Sequence, residues 1–298
     1  MVRQYKIHTN LDGTDDKVWD VTNGKVRFYQ PSNLGLQSTN NIWQSNGIGV
    51  MGTRSITQPQ IEFKLETFGE SLEENYRLMK DFINDSLNQK FVTLEYETEI
   101  FQVYADLALA DITKTEGYGK NGTFSEKITF DIITKWYTYE NLTFDMVQNG
   151  KVISGKSKIY GGTAPGYYKY VKGTSYTYYG ETNIERLSRW DIKDEIFSFM
   201  GILYPKLPKT PTGVRFLDDI GNEYTAIVFK TEELQDYILI NTDVNDETYQ
   251  GWKGTTALNL FPVMDFERYR TRIIEKGQME LINLSKAEFK VKRKADFV

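Results

Sequence analysis

The sequence predicts a mainly β protein with one helix, in its first domain. Three observations lead there. The 298 residues include 20 tyrosines and 17 phenylalanines, side chains that suit pleated surfaces better than helices. Apolar and polar residues alternate with a period of two in many short segments, the mark of half-buried strands. Finally, the stretch opening at Ser71 repeats its apolar residues at the three-and-four spacing of a helix.

The elements follow in chain order. Tyr5-Lys6-Ile7 and Val18-Trp19-Asp20-Val21 flank the hairpin dipeptide Asp12-Gly13, and Asn23-Gly24 precedes Val26-Arg27-Phe28-Tyr29. Residues 35–52 are rich in Ser, Asn, Gln and Gly, show no sustained period and read as a long loop. Long ordered loops are uncommon and often functional, so Ile42, Trp43, Ile48, Val50 and Met51 within it point to docking on a partner. Ile61, Phe63 and Leu65 alternate with Glu62, Lys64 and Glu66 as a strand. Ser71-Leu72-Glu73-Glu74 is a capping box, with the Ser71 hydroxyl accepting from the Glu74 N–H and the Glu74 side chain reaching back. Leu72, Tyr76, Met79, Ile83 and Leu87 then fall on one apolar stripe of a helix that stops at Asn88. Val92, Leu94 and Tyr96, then Phe101 and Val103, then Phe124, Ile128, Phe130 and Ile132 read as strands, and the first domain closes near Trp136.

Residues 141–180 shift to glycine, lysine and tyrosine, as in Tyr167-Tyr168-Lys169-Tyr170 and Tyr176-Thr177-Tyr178-Tyr179. Linkers are poor in aromatics, so this segment reads as an arm whose tyrosines meet a partner. Ordinary half-buried strand tyrosines are the other reading. Strands resume at Ile196-Phe197-Ser198-Phe199, Val214-Arg215-Phe216, residues 225–229, Tyr237-Ile238-Leu239-Ile240 and residues 268–274. Together they suggest an all-β sandwich. The alternating Ala287-Glu288-Phe289-Lys290-Val291-Lys292-Arg293-Lys294 reads as an edge strand whose basic residues discourage unwanted pairing, or else as an ion-paired subunit contact.

Composition narrows the chemistry. One histidine, His8, and no cysteine leave little with which to build a zinc site, a Ser-His-Asp triad or a redox pair. A net charge of −5 gives no broad positive field for phosphates, so specific nucleic-acid binding is not expected. No signal peptide and no apolar run of about 20 residues is present, which predicts folding in a cytoplasm and no membrane segment. Without a secretory route the glycosylation patterns at Asn121, Asn141 and Asn283 carry no meaning. Gly47-Ile48-Gly49-Val50-Met51-Gly52 matches the dinucleotide fingerprint in letters. No strand-to-helix context surrounds it, because Pro59 follows within a few residues. Asp243-Val244-Asn245-Asp246-Glu247 lacks the glycine and distal glutamate of a calcium loop and reads as a solvated turn. No cofactor is therefore expected, and no role falls to His8.

The N-terminal hairpins, the glycine run at 47–52, the capped helix from Ser71, Lys135-Trp136-Tyr137, the stretch from Tyr237 to Asp243 and the close at Phe289-Lys290-Val291-Lys292-Arg293-Lys294-Ala295-Asp296-Phe297-Val298 together resemble the distal tail proteins of lactococcal siphophages, over the whole chain. That resemblance implies a ring-forming β-barrel or sandwich plus helix over residues 1–135, with 282–298 returning to it. It implies a galectin-like β-sandwich over 136–281, with a projecting arm at about 145–190. It further implies a non-enzymatic hub in the virion, made in the host bacterial cytoplasm. As a hexameric ring it would join the tail tube or its terminator to the tail-associated protein, and DNA would pass through its centre. The arm would hold receptor-binding protein trimers, which makes Tyr160, Tyr167, Tyr168, Tyr170, Tyr176, Tyr178, Tyr179 and Trp190 the candidate contact residues. Two alternatives stand beside it: a carbohydrate-binding adhesin using aromatics such as Trp252 or Tyr167, and a cell-wall hydrolase built on two carboxylates.

Overall fold

The computed structural model describes residues 3–295 apart from 12, 14, 36, 58–59, 115–121, 145–146, 149–150, 153–167, 172–174, 179–188 and 245. The chain divides into two compact units, Met1–Thr138 with Ala295–Val298, and Tyr139–Lys294.

The first unit holds an antiparallel sheet wrapped on a helix, beside a separate two-stranded ribbon. Its strands are β1 (Gln4–His8), β2 (Val18–Asp20), β3 (Val26–Ser32), β6 (Gln60–Thr67), β7 (Val92–Glu97), β8 (Gln102–Thr113) and β9 (Ser125–Ile132). They lie in the order β2-β1-β7-β8-β9-β6-β3. Just past β2 the Val21 carbonyl accepts from the Phe28 N–H of β3 at 2.7 Å, so the sheet curls back on itself, and among the described residues no ladder pairs β2 with β3. The two-residue period of β6 buries Ile61, Phe63 and Leu65 as its sequence predicts, and they join Ile7, Leu94, Leu107, Ile128 and Phe130 in the core.

Helix α1 (Leu72–Leu87) packs on this core. Ser71 caps it, its hydroxyl accepting from the Glu74 N–H at 3.2 Å, while the Glu74 carboxylate accepts from the Glu70 N–H, one residue upstream of the cap. The buried face shares only Met79 and Ile83 with the predicted stripe. Asn75, Met79, Phe82 and Ser86 are buried, whereas Leu72, Tyr76 and Leu87 are exposed. The rotation has a local cause: the Asn75 carbonyl oxygen accepts from the Gly69 N–H at 2.6 Å and its amide donates to the Ser71 carbonyl, so a polar residue is satisfied inside.

Strand β10 (Tyr137–Phe144) carries the chain out of the first unit. The second unit is a two-sheet sandwich. One sheet has the order β10-β23-β16-β19-β20-β21, where β16 is Ile196–Pro205, β19 Tyr237–Asn241, β20 Thr248–Lys253, β21 Thr256–Asn259 and β23 Leu284–Lys294. The other has the order β15-β22-β17-β18, with β15 at Arg189–Ile192, β17 at Thr212–Leu217, β18 at Glu223–Phe229 and β22 at Gly277–Ile282. Phe199, Leu203, Ile238 and Phe289 from the first sheet meet Val214, Phe216, Phe229 and Met279 from the second, and the Phe199 ring lies 5.8 Å from Phe216 and 5.9 Å from Phe289.

Three expectations are corrected here. Residues 268–274 form no strand. The segment runs along the β18 edge, where the Arg268 carbonyl accepts from the Ala226 N–H and the Asp265 N–H donates to the Val228 carbonyl. The closing strand β23 is not an edge, because it lies between β10 and β16. Its basic residues find partners within the unit: Lys292, 6% exposed, pairs with Asp243 at 2.8 Å, and Arg293 with Asp194 at 3.3 Å. Lastly, residues 284–294 belong to the second unit. The return to the first unit begins at Ala295, whose N–H donates to the Trp136 carbonyl at 2.8 Å.

Candidate functional site

Residues 35–52, expected to be a loop, contain most of a hairpin. Strands β4 (Gln37–Ser45) and β5 (Ile48–Thr57) pair antiparallel, with Ser45 opposite Ile48, Trp43 opposite Val50 and Ile42 opposite Met51. Asn46 and Gly47 both take left-handed φ, 49° and 78°, the conformation that an Asn-Gly turn supplies between twisted strands. The glycine run therefore serves the ribbon and not a dinucleotide. Gly47 makes the turn, and a side chain at Gly49 would meet Ile42 while one at Gly52 would meet the Trp43 indole, each at 3.1 Å.

Opposed residues in a ladder share a face. One face of this ribbon thus carries Trp43, Ile48 and Val50, and the other Ile42 and Met51. All five are exposed, Trp43 at 67% and Ile48 at 70%. Among the described residues no third strand pairs with either edge. A two-stranded ribbon in water is marginal on its own, and this one leaves apolar side chains exposed on both faces. Tyr76, 62% exposed, and Leu72 on the outward side of α1 add a second apolar area in the same unit.

Four of the arm tyrosines fall in a second small hairpin, β13 (Tyr168–Val171) with β14 (Ser175–Tyr178). Its register sets Tyr168 opposite Tyr178 and Tyr170 opposite Tyr176. A shorter hairpin, β11 (Val147–Gln148) with β12 (Lys151–Val152), precedes it. Tyr160, Tyr167 and Tyr179 lie outside the described residues. Trp190 is placed differently from the rest. It stands in β15 opposite Met279 and packs, half-buried, against the sandwich core.

The residues weighed for chemistry have structural duties. The His8 ring bridges two carboxylates, with Nδ1 at 2.7 Å from Asp16 and Nε2 at 2.8 Å from Glu95. Asp243 is engaged by Lys292, and its N–H donates to Asn241 at 3.1 Å, which accounts for the acidic turn. Among the described residues no cluster of three or more His, Asp or Glu side chains is arranged to hold a metal ion, and no helix is long and apolar enough to cross a membrane.

Comparison with known proteins matches the two units to two family models. "Distal tail protein, N-terminal domain" covers residues 4–133, and "Dit, C-terminal domain" covers residues 135–298. The chain is 93% identical to the distal tail protein of Lactococcus phage p2 and 90% identical to that of Lactococcus phage SK1, each over the full length of both chains. Among solved structures it is similar to a chain of the phage P2 baseplate in its activated conformation with Ca, with a TM-score of 0.79, 93% identity and full coverage of both chains. It shares a fold with the Dit protein of SPP1 at 10% identity and a TM-score of 0.54, covering 98% of this chain and 99% of that one.

Proposed function

The chain belongs to the distal tail protein family, and from that membership we propose that it is the structural hub of a phage tail-tip baseplate. Copies close into a hexameric ring by head-to-tail contacts, in which one surface of a subunit meets a different surface of the next. The first unit forms the ring, which joins the tail tube or its terminator to the tail-associated protein. Residues 145–190 of the second unit hold receptor-binding protein trimers, with Tyr160, Tyr167, Tyr168, Tyr170, Tyr176, Tyr178, Tyr179 and Trp190 as the proposed contacts. The protein works in the virion after assembly in the host bacterial cytoplasm. Its part is mechanical and not catalytic.

One observation carries this reading: the β4–β5 ribbon, apolar on both faces and unpaired at both edges among the described residues. Its Trp43 and Ile42 faces are costly to leave in water at about 25 cal/mol per Å² of apolar surface, a cost that a neighbouring copy removes. The tyrosine pairs of the β13–β14 register support the arm, since tyrosine gives large contact area at low entropic cost.

The test is to delete residues 155–180 and measure capture of the receptor-binding protein by the otherwise complete chain. Loss of capture with the assembled mass unchanged is the expected result. Undiminished capture defeats the arm assignment.

A further inference from the structure

Four Asn-Gly pairs stand in the chain, at Asn23, Asn46, Asn121 and Asn149. Asn121 and Asn149 lie outside the described residues, and the other two pairs sit in turns of opposite character. At the first, the Gly24 N–H donates to the Asp20 carbonyl at 3.0 Å, the Asn23 N–H donates to the Asp20 carboxylate at 2.8 Å, and the Asn23 carbonyl accepts from Arg27 at 3.3 Å. Val21 and Val26 on either side are buried in the core of the first unit. Opening that turn disturbs the core.

At the second, Asn46 and Gly47 are both exposed, and among the described residues neither the Asn46 amide nor the Gly47 N–H has a hydrogen-bond partner. A side chain placed at Gly47 would meet nothing within 4 Å. Ile42, Trp43, Ile48, Val50 and Met51 around the turn are all exposed, so opening the ribbon there gives up little burial.

We infer that Asn46 is a site of spontaneous covalent modification, at which the side-chain amide is lost through a cyclic imide. The Gly47 backbone nitrogen attacks Asn46 Cγ, forming an N–Cγ bond. As the Cγ–Nδ2 bond breaks, Nδ2 leaves as ammonia and carries away the Gly47 amide proton. Water then opens the ring. Addition at Cγ breaks the new bond and yields aspartate, while addition at the Asn46 main-chain carbonyl breaks the original peptide bond and yields isoaspartate, with the chain continuing through Cγ. Glycine favours the attack because no Cβ shields its nitrogen. The attack also needs rotation about the Asn46 Cα–C bond, which a turn without hydrogen bonds at either group, on a marginal ribbon, allows.

The products change the ribbon. Isoaspartate adds a backbone atom to a two-residue turn that sets Ser45 opposite Ile48 and Trp43 opposite Val50, so that register is lost. Either product also places a carboxylate at the tip of a ribbon, residues 37–57, whose one charged residue is Arg54. Converted copies are therefore expected to assemble poorly, a consequence that rests on the hub reading, whereas the site itself does not.

The test is to hold the full chain in neutral buffer, sample it over time, digest it and follow the Asn23 and Asn46 peptides separately by mass spectrometry. The Asn46 peptide is expected to gain the mass of an amide-to-acid exchange and to split into aspartate and isoaspartate forms, roughly tenfold or more faster than the Asn23 peptide. In urea, where neither turn persists, the two rates are expected to agree within about twofold. The inference is overturned if both peptides convert at the same rate in the native chain, or if the gap survives unfolding. Ion exchange then separates converted from unconverted chains, and the converted ones are expected to be enriched several-fold among single chains. An equal distribution would strike the ribbon's part in assembly, and equal native rates would strike the site, so the two failures are told apart.

Discussion

His8 Nε2 stands 2.8 Å from Glu95 Oε2, a diagonal contact across the β1–β7 ladder between two buried side chains. Glu95 also accepts from Lys6 at 2.7 Å and Gln102 at 3.0 Å. Burial acts to raise the Glu95 carboxyl, but these three donors outweigh it and hold the group below its ordinary 4.5. A carboxylate depressed in the folded state contributes stability that is present above its unfolded value and lost as pH falls through the folded one. Glu95→Gln is accordingly expected to cost about 1–3 kcal/mol at neutral pH, shrinking as pH falls below the carboxyl's ordinary value. Urea unfolding at neutral and acid pH measures both. An equal cost at the two pH values contradicts the assignment.

The face that α1 buries gives a second prediction. Phe82 is fully buried, and its ring meets Phe28 edge-on at 5.7 Å, whereas Tyr76 stands in water. Phe82→Ala is expected to destabilise the chain by about 3–5 kcal/mol, and Tyr76→Ala to change the unassembled chain by less than about 0.5 kcal/mol. Comparable losses at both positions, read by chemical denaturation, would return the helix to its predicted stripe.

Lys292 and Asp243 form an enclosed pair, with their side chains 7% and 13% exposed. Removing the ammonium takes the paired positive charge from an enclosed carboxylate, so Lys292→Ala is expected to cost about 3–5 kcal/mol, while the apolar double replacement Lys292→Met with Asp243→Leu recovers most of the loss. Equal thermal midpoints for the single and double variants would mean that the ammonium was never desolvated.

Much of the fold is legible in the sequence wherever an element has one wet side and one dry side. The alternation of Ile61, Phe63 and Leu65 is the burial pattern of β6, and the Ser71 cap sits where its capping box places it. Legibility fails where burial does not follow polarity. Asn75 and Ser86 are inside α1 because their polar atoms are bonded locally, Ser86 to the Phe82 carbonyl at 2.8 Å. Lys292 is inside β23 because Asp243 meets it from a distant turn, so a basic run that reads as an edge becomes an interior strand. The β4–β5 ribbon shows no period because neither of its faces is buried within the chain. Its one local signal is Asn46-Gly47, whose two left-handed residues define the turn. Strands β20 to β22 include Gly251 and Gly277 and short runs that only tertiary pairing makes strands.

The most direct measurement is the mass of the purified chain by light scattering, alongside a variant carrying Trp43→Asp and Val50→Asp on one face of the β4–β5 ribbon. Those two residues contribute nothing to either core, so the variant should fold with an unchanged circular dichroism spectrum and melt. The parent is expected to run as a closed ring several times the mass of one chain, and the variant as single chains. A parent that remains a monomer at every concentration, or a variant that assembles as well as the parent, would contradict the account.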